Sequence, residues 1–351
     1  MEPPPPPGLL VLGGQSRKEQ LCSIETFGFE SCIIPPLPES RYGFGSFITP
    51  SEKLTVCGGW WTGKPDSSDC LSLNVTTGQW ERGEFLNGPL GDDVQGVVTI
   101  EEEGVFVVHS VGISVLATGS KSWTAGPMFV SHAVCACNIS SKSFVTIHFD
   151  DKDNVHQYSA TPQNGVKLEP AEIWPSLLTK RHAPGCGTTS YNFIVAGGVS
   201  DWDEVLSSVE VFHIATKSLR RGGDMRQARA FFKIVPVGTP YPRLLAIGGR
   251  DKTSTLSTTE WWEEEENSWM EGQHVNLSTE RSSFAALLAP ERLVCSQADP
   301  VAHFCLLQGS SVAPEKEPEL PGGSKFAQKI TSVYDLGIRE PFKNVLADFV
   351  R

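Results

Sequence analysis

The chain has 351 residues, 39% of them hydrophobic, which suffices for one large domain or two ordinary ones. Its formal net charge of −12 argues against a nucleic-acid partner, whose phosphates want a basic stripe, and against an anionic membrane surface. No apolar run approaches the roughly 20 residues that span a bilayer, and 33 Gly and 25 Pro indicate many turns without a disordered composition.

Residues 1–8, MEPPPPPG, read as a stiff, solvated lead-in. They carry neither the basic segment nor the long apolar core of a signal peptide. Residues 9–14, LLVLGG, are an apolar run ending in a glycine pair. The pattern returns at 54–59 (LTVCGG), 193–198 (FIVAGG) and 244–249 (LLAIGG). Two degenerate copies, GVFVVHS (104–110) and KSFVTIHFD (142–150), fill the long gap in the middle. After each copy comes a large residue and, seven positions on, a second: Phe27 and Ile34, Leu73 and Trp80, Leu116 and Trp123, Phe212 and Leu219, Trp262 and Trp269. Tyr158 and Val166 keep a looser version. A third element is a short apolar strand, usually entered through a basic residue: RYGFGSFI (41–48), HAVCACNI (132–139), RHAPGCGTT (181–189), RAFFKIV (229–235) and RSSFAALLA (281–289). DVQGVVTI (93–100) fills the same slot without one.

Each repeat thus reads as four strands, with the glycine pair ending the second and the two large residues on the third and fourth. Units of roughly 40–54 residues, each a four-stranded sheet, suit an all-β propeller, in which every blade is covered by its neighbours. Six copies are marked by Phe27, Leu73, Leu116, Tyr158, Phe212 and Trp262. The N-terminus starts on a second strand, so the chain ends must pair within one blade, which removes exposed sheet edges. If SKFAQKITSVY (324–334) supplies the missing strand there are seven blades, the preferred count. If RSSFAALLA supplies it there are six. The seven-blade version makes 9–334 a single domain followed by a tail, 335–351, with a short helix after Pro341.

The order of apolar run, Gly-Gly, large residue and Trp resembles the kelch repeat, best kept in 54–80 and 244–269. The resemblance extends over nearly the whole chain, although only four copies hold both glycines. It implies a propeller whose loops bind other proteins. Ligase-recruiting or actin-binding roles of such propellers depend on additional domains, for which this sequence has no room.

Catalytic patterns are scarce. No G-x-S-x-G, phosphate-cradling loop or H-E-x-x-H occurs. Cys135 and Cys137 share a strand face but lack two further zinc ligands, and read as core packing. Residues 150–154, DDKDN, and the glutamates 263–266 read as solvated acidic turns. No metal or other cofactor is expected. The nine cysteines include three pairs flanking strand connections: Cys22 and Cys32, Cys57 and Cys70, Cys295 and Cys305. Sequons begin at Asn74, Asn138 and Asn276. The odd thiol count and the lead-in favour a cytoplasmic protein, with a secreted, disulfide-bridged one as the alternative.

The expectation is therefore a non-enzymatic, monomeric module that binds a protein partner through loops on one propeller face. Exposed Trp and Arg anchor interfaces. The candidates are Trp60, Trp61 and Lys64 in one loop, Asp201 and Trp202 in a second, and Arg250 in a third. Arg41, Arg181, Arg229 and Arg281, at the strand-one entries, are placed at the same rim, with satisfaction of loop carbonyls and capping of acidic neighbours as their other role. The enzymatic alternative is a metal-dependent or carbohydrate-directed activity near the central channel.

Overall fold

The computed structural model describes residues 8–29, 32–61, 68–87, 93–149, 155–161, 167–238, 242–272 and 275–296. The chain opens with β1 (Gly8–Gln15) and β2 (Gln20–Phe27). Next come β3 (Arg41–Tyr42), β4 (Gly45–Ile48), β5 (Leu54–Cys57), β6 (Trp60–Trp61), β7 (Cys70–Asn74) and β8 (Gln79–Arg82). Of these, β4-β5-β7-β8 form a four-stranded sheet, and β3 pairs with β6 beside it. The third sheet holds β9 (Val94–Ile100), β10 (Gly104–His109), β11 (Gly112–Ala117) and β12 (Thr124–Met128). The fourth holds β13 (His132–Ser140), β14 (Ser143–Phe149), β15 (Val155–Thr161) and β16 (Lys167–Trp174). The fifth holds β17 (Gly185–Thr188), β18 (Asn192–Ala196), β19 (Val209–His213) and β20 (Leu219–Arg221). The sixth holds β21 (Lys233–Val237), β22 (Arg243–Ile247), β23 (Thr259–Glu263) and β24 (Ser268–Glu271). Finally β25 (Ala285–Ala289) returns to pair with β1, giving the order β2-β1-β25.

These six sheets are the blades of a propeller. Their first strands meet in a closed cycle: β25 touches β4, β4 touches β9, β9 touches β13, β13 touches β17, β17 touches β21, and β21 touches β25. The ring therefore has six blades, not the preferred seven. The segment that closes it is RSSFAALLA, with Leu10 opposite Leu287 in antiparallel register. SKFAQKITSVY, the proposed tail helix and the remainder of 297–351 lie outside the described residues. The pairing of chain ends within one blade holds as expected.

The apolar core is divided among six clusters, one at each blade–blade junction. This explains why second strands are apolar throughout. Side chains alternate across a strand, so Leu10 and Leu12 of β1 face blade two while Leu9 and Val11 face blade six. A blade edge needs less: β8, at the outside, is almost wholly exposed. The seven-residue spacing of large residues is a hairpin geometry. Leu73 pairs with Trp80, Phe212 with Leu219, and Trp262 with Trp269, whose rings lie 5.4 Å apart. Burial of a side chain of that size stabilises the fold by about 1.5–3 kcal/mol.

Two of the sequence pairings of cysteines are corrected. Cys57 bonds Cys70 directly across β5 and β7, as expected. Cys32, however, bonds Cys295 and not Cys22, because the chain beyond β25 folds back onto blade one, where the Ser296 amide also donates to the Ile33 carbonyl at 3.1 Å. No helix among the described residues is long and apolar enough to cross a membrane.

Candidate functional site

Antiparallel strands put the loop between second and third strands, and the connection from one blade to the next, on the same face. Turns joining strands one to two and three to four lie on the opposite face. The first face is built on a repeated ion-pair clamp. Arg41, Arg181, Arg229 and Arg281 have no exposed side-chain surface. Each guanidinium donates to the carbonyl of the first glycine of its blade's pair: Gly58 at 2.9 Å, Gly197 at 2.8 Å, Gly248 at 2.9 Å and Gly13 at 3.0 Å. Each also binds a carboxylate of its own blade: Asp69 at 3.1 Å, Glu210 at 2.7 Å, Glu260 at 2.7 Å, and Glu25. Three of these acids accept two backbone N–H bonds as well, Glu210 from Leu178 and Thr179, Glu260 from Arg226 and Gln227, Glu25 from Ser278 and Thr279. Buried charges persist where pairing and hydrogen bonds replace water.

The rim-facing role considered for the four arginines is thus corrected: they hold the loops of this face from inside. Burial pulls the Arg229 and Arg281 guanidinium groups down from their usual range, while Glu260 and Glu25 oppose that shift. Arg281 clamps residues of β1 and β2, an independent sign that β25 belongs to their blade. Acidic neighbours were expected but not identified, although a signal was present: each clamped blade has Asp or Glu ten to twelve residues after the second glycine of its pair.

The clamp also explains the glycine pairs. A Cβ on Gly197 would stand 2.3 Å from the Arg229 carbonyl of the next blade, and one on Gly198 2.6 Å from the His182 carbonyl of its own. Two residues after each arginine, the backbone turns left-handed, at Gly43, Ala183, Phe231 and Ser283. These residues are linked around the axis. The Phe231 amide donates to Ala183, Ser283 to Phe231, Gly43 to Ser283, and Val94 to Gly43, at 2.8–3.0 Å.

Around that backbone chain sit half-buried aromatic and charged groups. Tyr42 stacks on Trp60, with centroids 6.2 Å apart. Arg250 lies over the Phe231 ring at 5.1 Å. Lys233, at the start of an innermost strand, is half-buried; burial lowers its pKa and the Asp93 carboxylate raises it. Burial, then Asp93, raises the Tyr42 pKa, against a hydrogen bond from Gln15 that lowers it. Farther out, Trp202 is 86% exposed, next to exposed Asp201. Lys64 and DDKDN lie outside the described residues; Trp61 is described only as a backbone partner of Arg41. Of the eight exposed large hydrophobics among the described residues, Phe85, Met128, Val130, Leu178 and Trp202 belong to this face's connections or the strand end adjoining them. On the opposite face, one glutamate of the acidic turn is anchored and not free in solvent: Glu264 accepts from Thr189 and Asn192 of the neighbouring blade.

No protein-family model matches the chain, and comparison with curated proteins gives no match.

Proposed function

We propose that this six-bladed propeller is a non-enzymatic interaction module of kelch type, which binds a protein partner through the face carrying the second-to-third strand loops. The observation that carries this reading is the gathering of exposed anchors, Trp202, Met128, Val130 and Leu178, on one face together with the Tyr42–Trp60 and Arg250–Phe231 stacks. Aromatic residues, Met and Arg are the types that dominate interface cores. The clamps support the same role from below, since loops held by buried ion pairs lose little freedom when a partner docks.

The test is capture of partners from an extract by the folded protein, compared with Trp60→Ala and Trp202→Ala. The expected outcome is loss of captured protein with an unchanged melting temperature. Undiminished capture by both variants rejects the face.

A second reading, favoured by the Cys32–Cys295, Cys57–Cys70 and Cys135–Cys186 disulfides, is the same module acting outside the cell instead of in the cytoplasm. Thiol titration of native-source protein under denaturing, non-reducing conditions separates them: nine free thiols support the cytoplasm, and one or two support secretion.

A further inference from the structure

The ninth cysteine has a specific place in the fold. Cys135 and Cys137 stand two residues apart on β13, so strand alternation turns both toward the same side. Cys186 lies on β17, the first strand of the next blade. The three sulfurs lie within 4.8 Å of one another, at the junction where Cys135 is bonded to Cys186 and Cys137 is the free thiol. The sequence alone reads the Cys135–Cys137 pair as core packing, because a zinc site needs two further ligands; the ring brings up one sulfur, from 49 residues downstream of Cys137.

We propose that Cys186 is a shared partner, bridged by either Cys135 or Cys137, so that the seam between blades four and five closes in two alternative disulfide registers. The step is an isomerisation. The Cys137 thiolate attacks the Cys186 sulfur, a Cys137–Cys186 bond forms, and the Cys135–Cys186 bond breaks. Cys135 leaves as the thiolate and takes up the proton that Cys137 gave, so no oxidant is consumed. In the native state burial pushes the Cys137 thiol well above its usual range, with no charged group contributing. Cys137 is half-buried, packed against an apolar cluster that includes Val145, Ile147 and Phe193. Thiolate is therefore scarce after folding, and exchange is slow. The choice is made during oxidative folding, while the thiols are still solvated, and burial then preserves it.

The experiment refolds the reduced full chain in a glutathione buffer, where the small disulfide is the oxidant. Acid quenching, alkylation of free thiols in denaturant and peptide mapping follow. In wild type, label divides between Cys135 and Cys137 while Cys186 stays unlabelled. In Cys137→Ser the Cys135–Cys186 link is the only one at this seam. In Cys135→Ser a Cys137–Cys186 link forms, and label at both sulfurs is lost. The proposal is overturned if Cys135→Ser refolds with Cys137 and Cys186 both labelled, or if wild-type Cys135 carries no label. The wild-type map decides the question even if the variant does not fold.

Discussion

Blades one, two, five and six differ from blades three and four in how they fill one position. In the first group a buried arginine binds a glycine carbonyl and an acid. In the second, β10 ends at His109 and β14 ends at His148–Phe149, where the others carry glycine pairs. His109 pairs with Ser114 at 3.0 Å, and His148 bonds Thr146 and the Ser131 carbonyl. Charged clamps can hold long loops because guanidinium has several donors aimed at separate chain segments. A neutral imidazole reaches fewer, and in blade three the loop that follows is only Ser110–Val111. The clamps thus fix how a loop is anchored and not how long it is, since clamped blade one joins β1 to β2 through only Ser16–Glu19.

The largest expected effect comes from breaking one clamp. Glu260→Ala leaves Arg229 buried without its carboxylate and two amides without an acceptor, and is expected to cost about 3–5 kcal/mol in urea unfolding. A comparable loss from Glu264→Ala, on the other face, would remove the distinction. Removing the Cys32–Cys295 clasp with Cys295→Ser is expected to cost about 2–4 kcal/mol, because the bond ties together chain ends 263 residues apart.

Blade three responds to pH through His109, and clamped blade five does so through His182, whose pKa burial also lowers to about 4. Burial lowers the His109 pKa to about 4, against an ordinary value of 6.5. Below pH 6.5 the unfolded chain binds a proton that the folded one refuses, so stability falls as pH drops toward 4. The loss approaches ~3 kcal/mol. His109→Gln should flatten that part of the unfolding-versus-pH curve, and an unchanged slope would mean that another group titrates. The smallest expected effect is on stability in Trp202→Ala, within about 0.5 kcal/mol, as for an exposed side chain. A thermal scan checks it.

Much of the fold was legible because it repeats. Four glycine pairs and the paired large residues reported blade boundaries directly, since close backbone approach and wedge filling each demand one residue type. The blade count was less legible: RSSFAALLA and SKFAQKITSVY both look like first strands, and only pairing with β1 distinguishes them. For the arginines, the structure bears out satisfaction of loop carbonyls and acids over the rim role; the sequence did not decide between them, because a side chain's direction depends on acids such as Glu210 that are distant in sequence. The loop positions of Trp202 and Arg250 were legible, because both follow a glycine pair within a polar stretch. The proximity of Lys233 and Tyr42 to Asp93 was not legible, since it joins single residues from different blades.

The central claim, that one face binds and the other does not, is tested most directly by paired capture. Trp202→Ala alters the loop face and Tyr191→Ala, 57% exposed in the wild type, alters the opposite one. Captured partner should be lost from the first and retained by the second; loss from Tyr191→Ala with retention by Trp202→Ala would contradict the account.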